Sequence, residues 1–268
     1  MPINRRSALV AAGLAAGASL LGARAGAART QDASAAKLLF GLAQPVVPVL
    51  DGSGLFPVRR IYCIGRNYAA HAREMGSDPA REPPFFFQKP PDAVQVVLPG
   101  EPAGHPYPTL TQNYHHEVEL VAFLHSGGRD IAAERALEHV YGYAVGLDMT
   151  RRDLQRGMGA EGKPWEIGKS FDHSAPVGPI HTAARVGHLT RGRISLAVNG
   201  TIRQDADLSQ MIWSVAEQVA QLSRAFELRA GDVIYSGTPE NVGPVVPGDV
   251  LHCRIEGLSD LSVRILPA

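Results

Sequence analysis

The feature that most constrains this chain is a strand-like apolar run carrying two glutamates, Glu117 and Glu119, in "QNYHHEVELVAF", residues 112 to 123. Read as a strand, it puts His115, Glu117 and Glu119 on one face and His116, Val118 and Leu120 on the other. The two carboxylates then lie roughly 6 to 7 Å apart along the strand. An isolated E-x-E is usually a solvated strand face, but this one continues as "VELVAFLH", which reads as buried. Two buried carboxylates repel and lose hydration, so they demand protons, positive partners or a cation. A third carboxylate, Asp148, ends the strand-like "YGYAVGLD". Three carboxylate oxygens plus water suit Mg²⁺ or Mn²⁺, with Ca²⁺ able to replace either, better than they suit zinc. His115 is then expected to support the site from outside and His116 to be structural.

The rest of the chain must bury such a strand. Hydrophobic residues make up 45% of 268, ordinary for a globular chain. Lys plus Arg and Asp plus Glu both total 26, so no net basic field points to nucleic acid. Residues 1 to 28 read as an export signal of the twin-arginine type, with Arg5 and Arg6 before an apolar stretch, Ala8 to Leu21, and small-residue cleavage choices after it. That stretch is shorter than the roughly 20 residues of a membrane span, so the mature form is expected without a stable one. Export to the periplasm is the expectation, a cytoplasmic location the alternative if the signal is unused. Only Cys63 and Cys253 remain, too few for a disulfide framework or a zinc site.

Residues 29 to 57 read as a leader and a short β segment, and 58 to 268 as the main domain. "RRIYCIG" (59 to 65) reads as a buried strand, "NYAAHAREMG" (67 to 76) as a short helix stopped by Gly76, and Phe85, Phe86 and Phe87 as core anchors. "AAERALEHV" reads as a helix, and the glycine- and charge-rich segment 151 to 179 as an active-site loop. Asn199-Gly200 marks a hairpin turn within "ISLAVNGTIRQ". Apolar residues from Leu208 to Phe226 at three- and four-residue steps indicate one helix capped by Asp207 and Gln210.

His71 and Glu74 share a helix face at i, i+3, a spacing that more often makes a solvated pair but also makes a general base. Lys169, Arg151 and Arg152 are cations available for an anionic substrate or a developing oxyanion.

Together "YCIGRNYAAHAREMG", "PPFFFQKP", "HHEVEL", "GLDMTRRDLQ", "PWEIGKSFDHSAPVGP", "VNGTIRQ", "AGDVIYSGTPENVG" and "PGDVL" resemble the fumarylacetoacetate hydrolase family, nearest its branch acting on fumarylpyruvate and other acylpyruvates. The resemblance implies an α+β, predominantly β fold, a mixed β-sandwich roll with a few short helices, and a homodimer. It implies metal ligation by Glu117, Glu119 and Asp148, a His71–Glu74 dyad activating water, and Lys169 steadying an oxyanion. Gln155 and Thr238 match residues that contact substrate, and Arg66, Tyr68 and Arg152 join them as candidates, with Arg73, Arg81 and Arg151 as further cations for a distal carboxylate. The implied reaction is hydrolysis of the C–C bond of a 2,4-dioxo acid, foremost fumarylpyruvate, with acylpyruvase, oxaloacetate decarboxylase or isomerase activity as alternatives. A different class is a non-catalytic exported protein binding metal or dicarboxylates. In "GTPENVG" the chain departs from the family, with Glu240 and Asn241 where small residues are usual; Asn241 suits the turn, and Glu240 is expected to bear on the pocket's charge.

Overall fold

The structure, a computed structural model, describes residues 39–76 and 83–268. The export signal, most of the leader and Arg81 lie outside these residues. Two sheets carry the fold. The larger has eight strands, ordered Phe86–Lys89, Arg60–Ile64, Asp232–Tyr235, Val118–Leu124, Val140–Leu147, Ala175–Val177, Val94–Val96, with His181–Thr182 also pairing to Val140–Leu147. It is mixed: Asp232–Tyr235 runs parallel to Arg60–Ile64, and Ala175–Val177 parallel to Val94–Val96. The second sheet has five strands, ordered Thr201–Asp207, Arg193–Val198, Val250–Ile255, Leu261–Leu266, Ala103–Pro106.

The glutamate strand Val118–Leu124 is buried at every position because both of its faces are covered. Val118, Leu120, Ala122 and Leu124 pack with Ile194, Leu196, Cys253 and Val263 of the five-stranded sheet and with Val219 and Leu222 of the helix Val215–Ala225. Val121 and Phe123, on the opposite face, pack with Phe56, Ile61 and Val233. Each of the Val, Leu, Ile and Phe side chains contributes about 1.5 to 3 kcal/mol by leaving water. The result is the expected α+β, predominantly β roll. Cys63 and Cys253 are buried free thiols within it.

The expected hairpin is present: Arg193–Val198 and Thr201–Asp207 are joined by Asn199 (φ 50°) and Gly200 (φ 79°), both left-handed as a tight turn matched to strand twist requires. Val46–Pro48 and Leu55–Pro57 form a second antiparallel pair in the segment read as short β.

Three sequence readings need correction. The helix expected from Asp207 to Phe226 is two: Asp207 and Gln210 cap a short 3-10 turn, Leu208–Gln210, and Ser214 with Glu217 form a second capping box that starts Val215–Ala225. The gap exists because Met211 bridges to Tyr68 and the Ile212 amide donates to the Asn67 carbonyl at 2.7 Å, which no continuous helix permits. Segment 151 to 179 is not chiefly loop; it contains helices Arg152–Ala160 and Glu166–Lys169. Asp153 anchors the first by accepting from Thr111 Oγ1 (2.5 Å) and the Gln112 amide (2.9 Å). Finally, Phe85 is exposed rather than a core anchor, and only Phe86 and Phe87 pack on the two apolar clusters.

Candidate metal and catalytic site

The segment "HHEVEL" changes sheets at Glu117. Tyr114–His116 pairs with Thr150–Arg151 and Gly243–Pro244 in a small third sheet, and Val118–Leu124 enters the large one. The register Val118↔Leu147 and Glu119↔Gly146 continues so that Glu117 faces Asp148, whose amide donates to the Glu117 carbonyl at 2.9 Å. Adjacent antiparallel strands thus deliver the three carboxylates to one place. Ligand atoms of Glu117, Glu119 and Asp148 all lie within 4.8 Å of one another, and all three residues are buried.

Cations reach only two of them. Lys169 Nζ donates to Glu117 Oε2 (2.8 Å), Asp148 Oδ2 (2.8 Å) and Thr150 Oγ1 (2.7 Å). Arg152 ion-pairs with Glu117, and Lys89 with Asp148 at 2.9 Å. Glu119 accepts from the Gly237 amide at 2.8 Å and has no ion pair with a cation among the described residues. The titrations follow. Burial works against an ionised Glu117, but Lys169 and then Arg152 outweigh it and hold the carboxyl low. Burial, then Asp148 and Glu117, push Glu119 well above the carboxylate range. Burial also works against charged Lys169, yet Asp148 and Glu117 raise it. A hard divalent cation fits this donor set, because it would satisfy the buried carboxylate that no side chain neutralises.

Lys169 is held here by close helix packing: a Cβ on Gly168 would come within 2.7 Å of the Gln155 amide nitrogen, so only glycine lets Glu166–Lys169 lie against Arg152–Ala160. All three Nζ protons point to protein acceptors, so Lys169 acts on the site through its charge.

His71, on the helix Ala69–Glu74, lines the same cavity as the carboxylates, a space of about 330 Å³ that includes its mouth. Its Nδ1 lies 3.0 Å from Glu74 Oε2, which fixes the proton on Nδ1 and leaves Nε2 basic. Glu74 is itself held: the Asn241 amide donates to both of its oxygens at 3.1 Å. Asn241 reaches this position with φ 65°, so the departure in "GTPENVG" builds a contact to the dyad. Glu240 stays outside the cavity lining and bears instead on Tyr68.

Arg66, Arg152, Gln155 and Thr238 also line the cavity. Gln155 accepts from Arg152 at 3.0 Å, and the Thr238 hydroxyl donates to the Val118 carbonyl at 2.9 Å. Tyr68 does not join them; it is 1% exposed with an unpartnered hydroxyl, and burial pushes its pKa up. His115 bonds through Nε2 to Asn113 at 2.8 Å and to none of the carboxylates, because the chain bends between it and Glu119. His116 is structural as expected, bonding to Gln204 at 3.1 Å. Sequence reasoning missed Lys89 and the Gly237 amide. A lysine inside the apolar "FFFQKP" was the one available signal; a backbone donor leaves none.

The chain is similar along most of its length to proteins of one family. Fumarylpyruvate hydrolase of Ralstonia sp is 40% identical over 191 residues, 71% of this chain and 97% of that protein. Oxaloacetate tautomerase of Escherichia coli is 39% identical over 212 residues, 79% and 94% respectively. The crystal structure of fumarylpyruvate hydrolase from Pseudomonas aeruginosa in complex with Mn²⁺ and pyruvate superposes with a TM-score of 0.85 at 56% identity, covering 87% of this chain and 100% of that one. The family model described as fumarylacetoacetate (FAA) hydrolase C-terminal matches residues 60–266, and this chain belongs to that family.

Proposed function

We propose that the protein is a metal-dependent hydrolase that cleaves fumarylpyruvate to fumarate and pyruvate. The observation that carries this reading is the single cavity lined by Glu117, Glu119, Asp148 and His71, with Glu74 bonded to His71 behind it. Glu117, Glu119 and Asp148 would hold Mg²⁺ or Mn²⁺, which supplies Lewis acidity toward the 2-oxo acid end of the substrate. His71 Nε2 takes a proton from water while Glu74 accepts from Nδ1–H and steadies the imidazolium. The hydroxide adds to the C4 carbonyl. The C3–C4 bond then breaks, its electron pair leaves with C3 as the enolate of pyruvate, and a proton on C3 completes the product. Lys169 and Arg152 keep the cavity positive enough for a substrate that is an anion at both ends.

Fumarylpyruvate is preferred over oxaloacetate because the 56% identical structure carries the former name and the 39% identical relative the latter. A spectrophotometric assay with Mn²⁺, following loss of the dioxo-acid absorbance for fumarylpyruvate, acetylpyruvate and oxaloacetate, tests this. Oxaloacetate conversion without fumarylpyruvate cleavage would transfer the function to decarboxylation or tautomerisation, and binding without turnover to a non-catalytic protein. The twin arginine and the apolar stretch after it support export, which fractionation of expressing cells would test. The family resemblance supports a homodimer, which light scattering would test.

A further inference from the structure

Beside the catalytic cavity lies a second, more open space of about 730 Å³ including its mouth, walled by Phe85, Phe86, Phe87 and Trp165. Arg66, Phe87 and Trp165 line both spaces, so the two adjoin at Arg66. Its guanidinium stands 5.5 Å from the Phe85 ring centroid and 5.9 Å from that of Trp165. Its Nε is buried without a hydrogen-bond partner, and it has no ion pair among the described residues. The other cations of the catalytic cavity are committed, Arg152 and Lys169 to Glu117. On the outer wall Lys163 is ion-paired with Glu161 at 2.5 Å, which leaves Arg66 as the cation there without an ion pair among the described residues, and as the one charged group that lines both spaces.

The chain goes to some length to place this side chain. Arg66 has φ 55°, a left-handed conformation that costs a non-glycine residue about 1 to 2 kcal/mol. Next to it, a Cβ on Gly65 would fall 2.0 Å from Phe85 Cζ, so the glycine is what admits the ring that flanks the guanidinium. A strained, half-exposed arginine with an unsatisfied buried N–H, set between aromatic rings, is a receptor for a planar anion.

We propose that Arg66 binds the distal carboxylate of the substrate and so selects dioxo acids that end in a second carboxylate, with the conjugated chain lying along Phe87 and Trp165. This rests on the hydrolase reading for its substrate, but the receptor itself can be probed without turnover. Two variants separate charge from backbone: Arg66→Asn removes the charge with a residue that tolerates positive φ, and Arg66→Lys keeps it. Calorimetric titration with fumarate should show binding by wild type, a loss of about 50-fold in Arg66→Asn, and partial recovery in Arg66→Lys, with oxalate as the control anion for the inner cavity. In kinetics the preference for fumarylpyruvate over acetylpyruvate should fall by a similar factor in Arg66→Asn. Fumarate binding that is absent from wild type, or equal in wild type and Arg66→Asn, overturns the proposal. Fumarate binding that depends on Arg66, in a protein that turns over neither dioxo acid, sustains the receptor and overturns the hydrolase reading instead.

Discussion

The amide of Asp148 donates to the carbonyl of Glu117 at 2.9 Å, a single rung that locks the ends of two neighbouring strands and with them two of the three carboxylates. Glu119 enters by strand alternation rather than by a rung of its own, facing Gly146, where a Cβ would meet Val121 Cγ2 at 2.5 Å. The backbone therefore sets the spacing of the carboxylates before any cation arrives. What it leaves unbalanced is Glu119, and the first prediction concerns that residue.

Glu119→Gln puts a permanently neutral amide in place of a buried carboxyl that burial, Asp148 and Glu117 push well above the carboxylate range. In a chelator the variant should melt at or above the wild-type temperature, because folding at neutral pH no longer has to protonate a carboxyl that Asp148, Glu117 and burial keep from ionising. With Mn²⁺ the order should reverse, since wild type gains stability by binding the ion and the variant binds it at least ~100-fold more weakly. Thermal melts with chelator and with Mn²⁺ check both signs; a variant stabilised by Mn²⁺ as much as wild type would remove Glu119 from the metal site.

His71→Ala should lower kcat by about 10² to 10⁴-fold, the usual worth of a positioned general base. Oxalate, which resembles the enolate of pyruvate, should bind the variant nearly as well as wild type in the presence of Mn²⁺, because Glu117, Glu119 and Asp148 are untouched. Parallel losses in turnover and in oxalate affinity would show that His71 shapes the cavity rather than moving a proton.

Much of this site was legible because its residues are polar where the pattern demands apolar ones. Glu117 and Glu119 interrupt a buried strand, Asp148 ends another, and His71 with Glu74 sit at a helical spacing. Short strands punctuated by turns such as Asn199-Gly200 were legible locally, while the roll they build was implied by the family resemblance. What escaped reading depends on partners distant in sequence. The break between Leu208–Gln210 and Val215–Ala225 exists because Asn67 and Tyr68 bind across it. Asp148 has a second cation beside Lys169, the distant Lys89, whose Nζ also donates to the Met149 carbonyl at 3.2 Å and to that of Lys169. Neither leaves a local periodicity.

Asn241 offers a test of positioning. Its amide holds both oxygens of Glu74 only while φ stays near 65°. Asn241→Gly keeps that conformation and should leave kcat within about twofold, whereas Asn241→Val opposes it by about 1 to 2 kcal/mol. Kinetics of Asn241→Val should show kcat falling by roughly 10-fold with KM little changed, as Glu74 loses its support and His71 its orientation. Equal kinetics for the two variants would remove the turn from the dyad's support.

The last prediction is independent of catalysis. His105 is fully buried, with Nδ1 2.6 Å from Gln95 Oε1 and Nε2 2.6 Å from the Tyr114 hydroxyl. The amide oxygen can only accept, so Nδ1 carries the proton and Nε2 of the neutral ring accepts from Tyr114; a second proton would reverse that bond and place a charge in the core. Burial, followed by His173, accordingly lowers its pKa from 6.5 to about 4. Because the folded value lies below the unfolded one, this histidine costs nothing above pH 6.5, and stability is lost as the pH falls from there toward 4. Between pH 7 and pH 5 the loss amounts to about 2 kcal/mol from this residue. Urea unfolding of wild type and His105→Gln at the two pH values isolates the contribution. The variant should be less stable at pH 7 but lose about 2 kcal/mol less on acidification, and an equal acid loss in both proteins would show that His105 does not drive it.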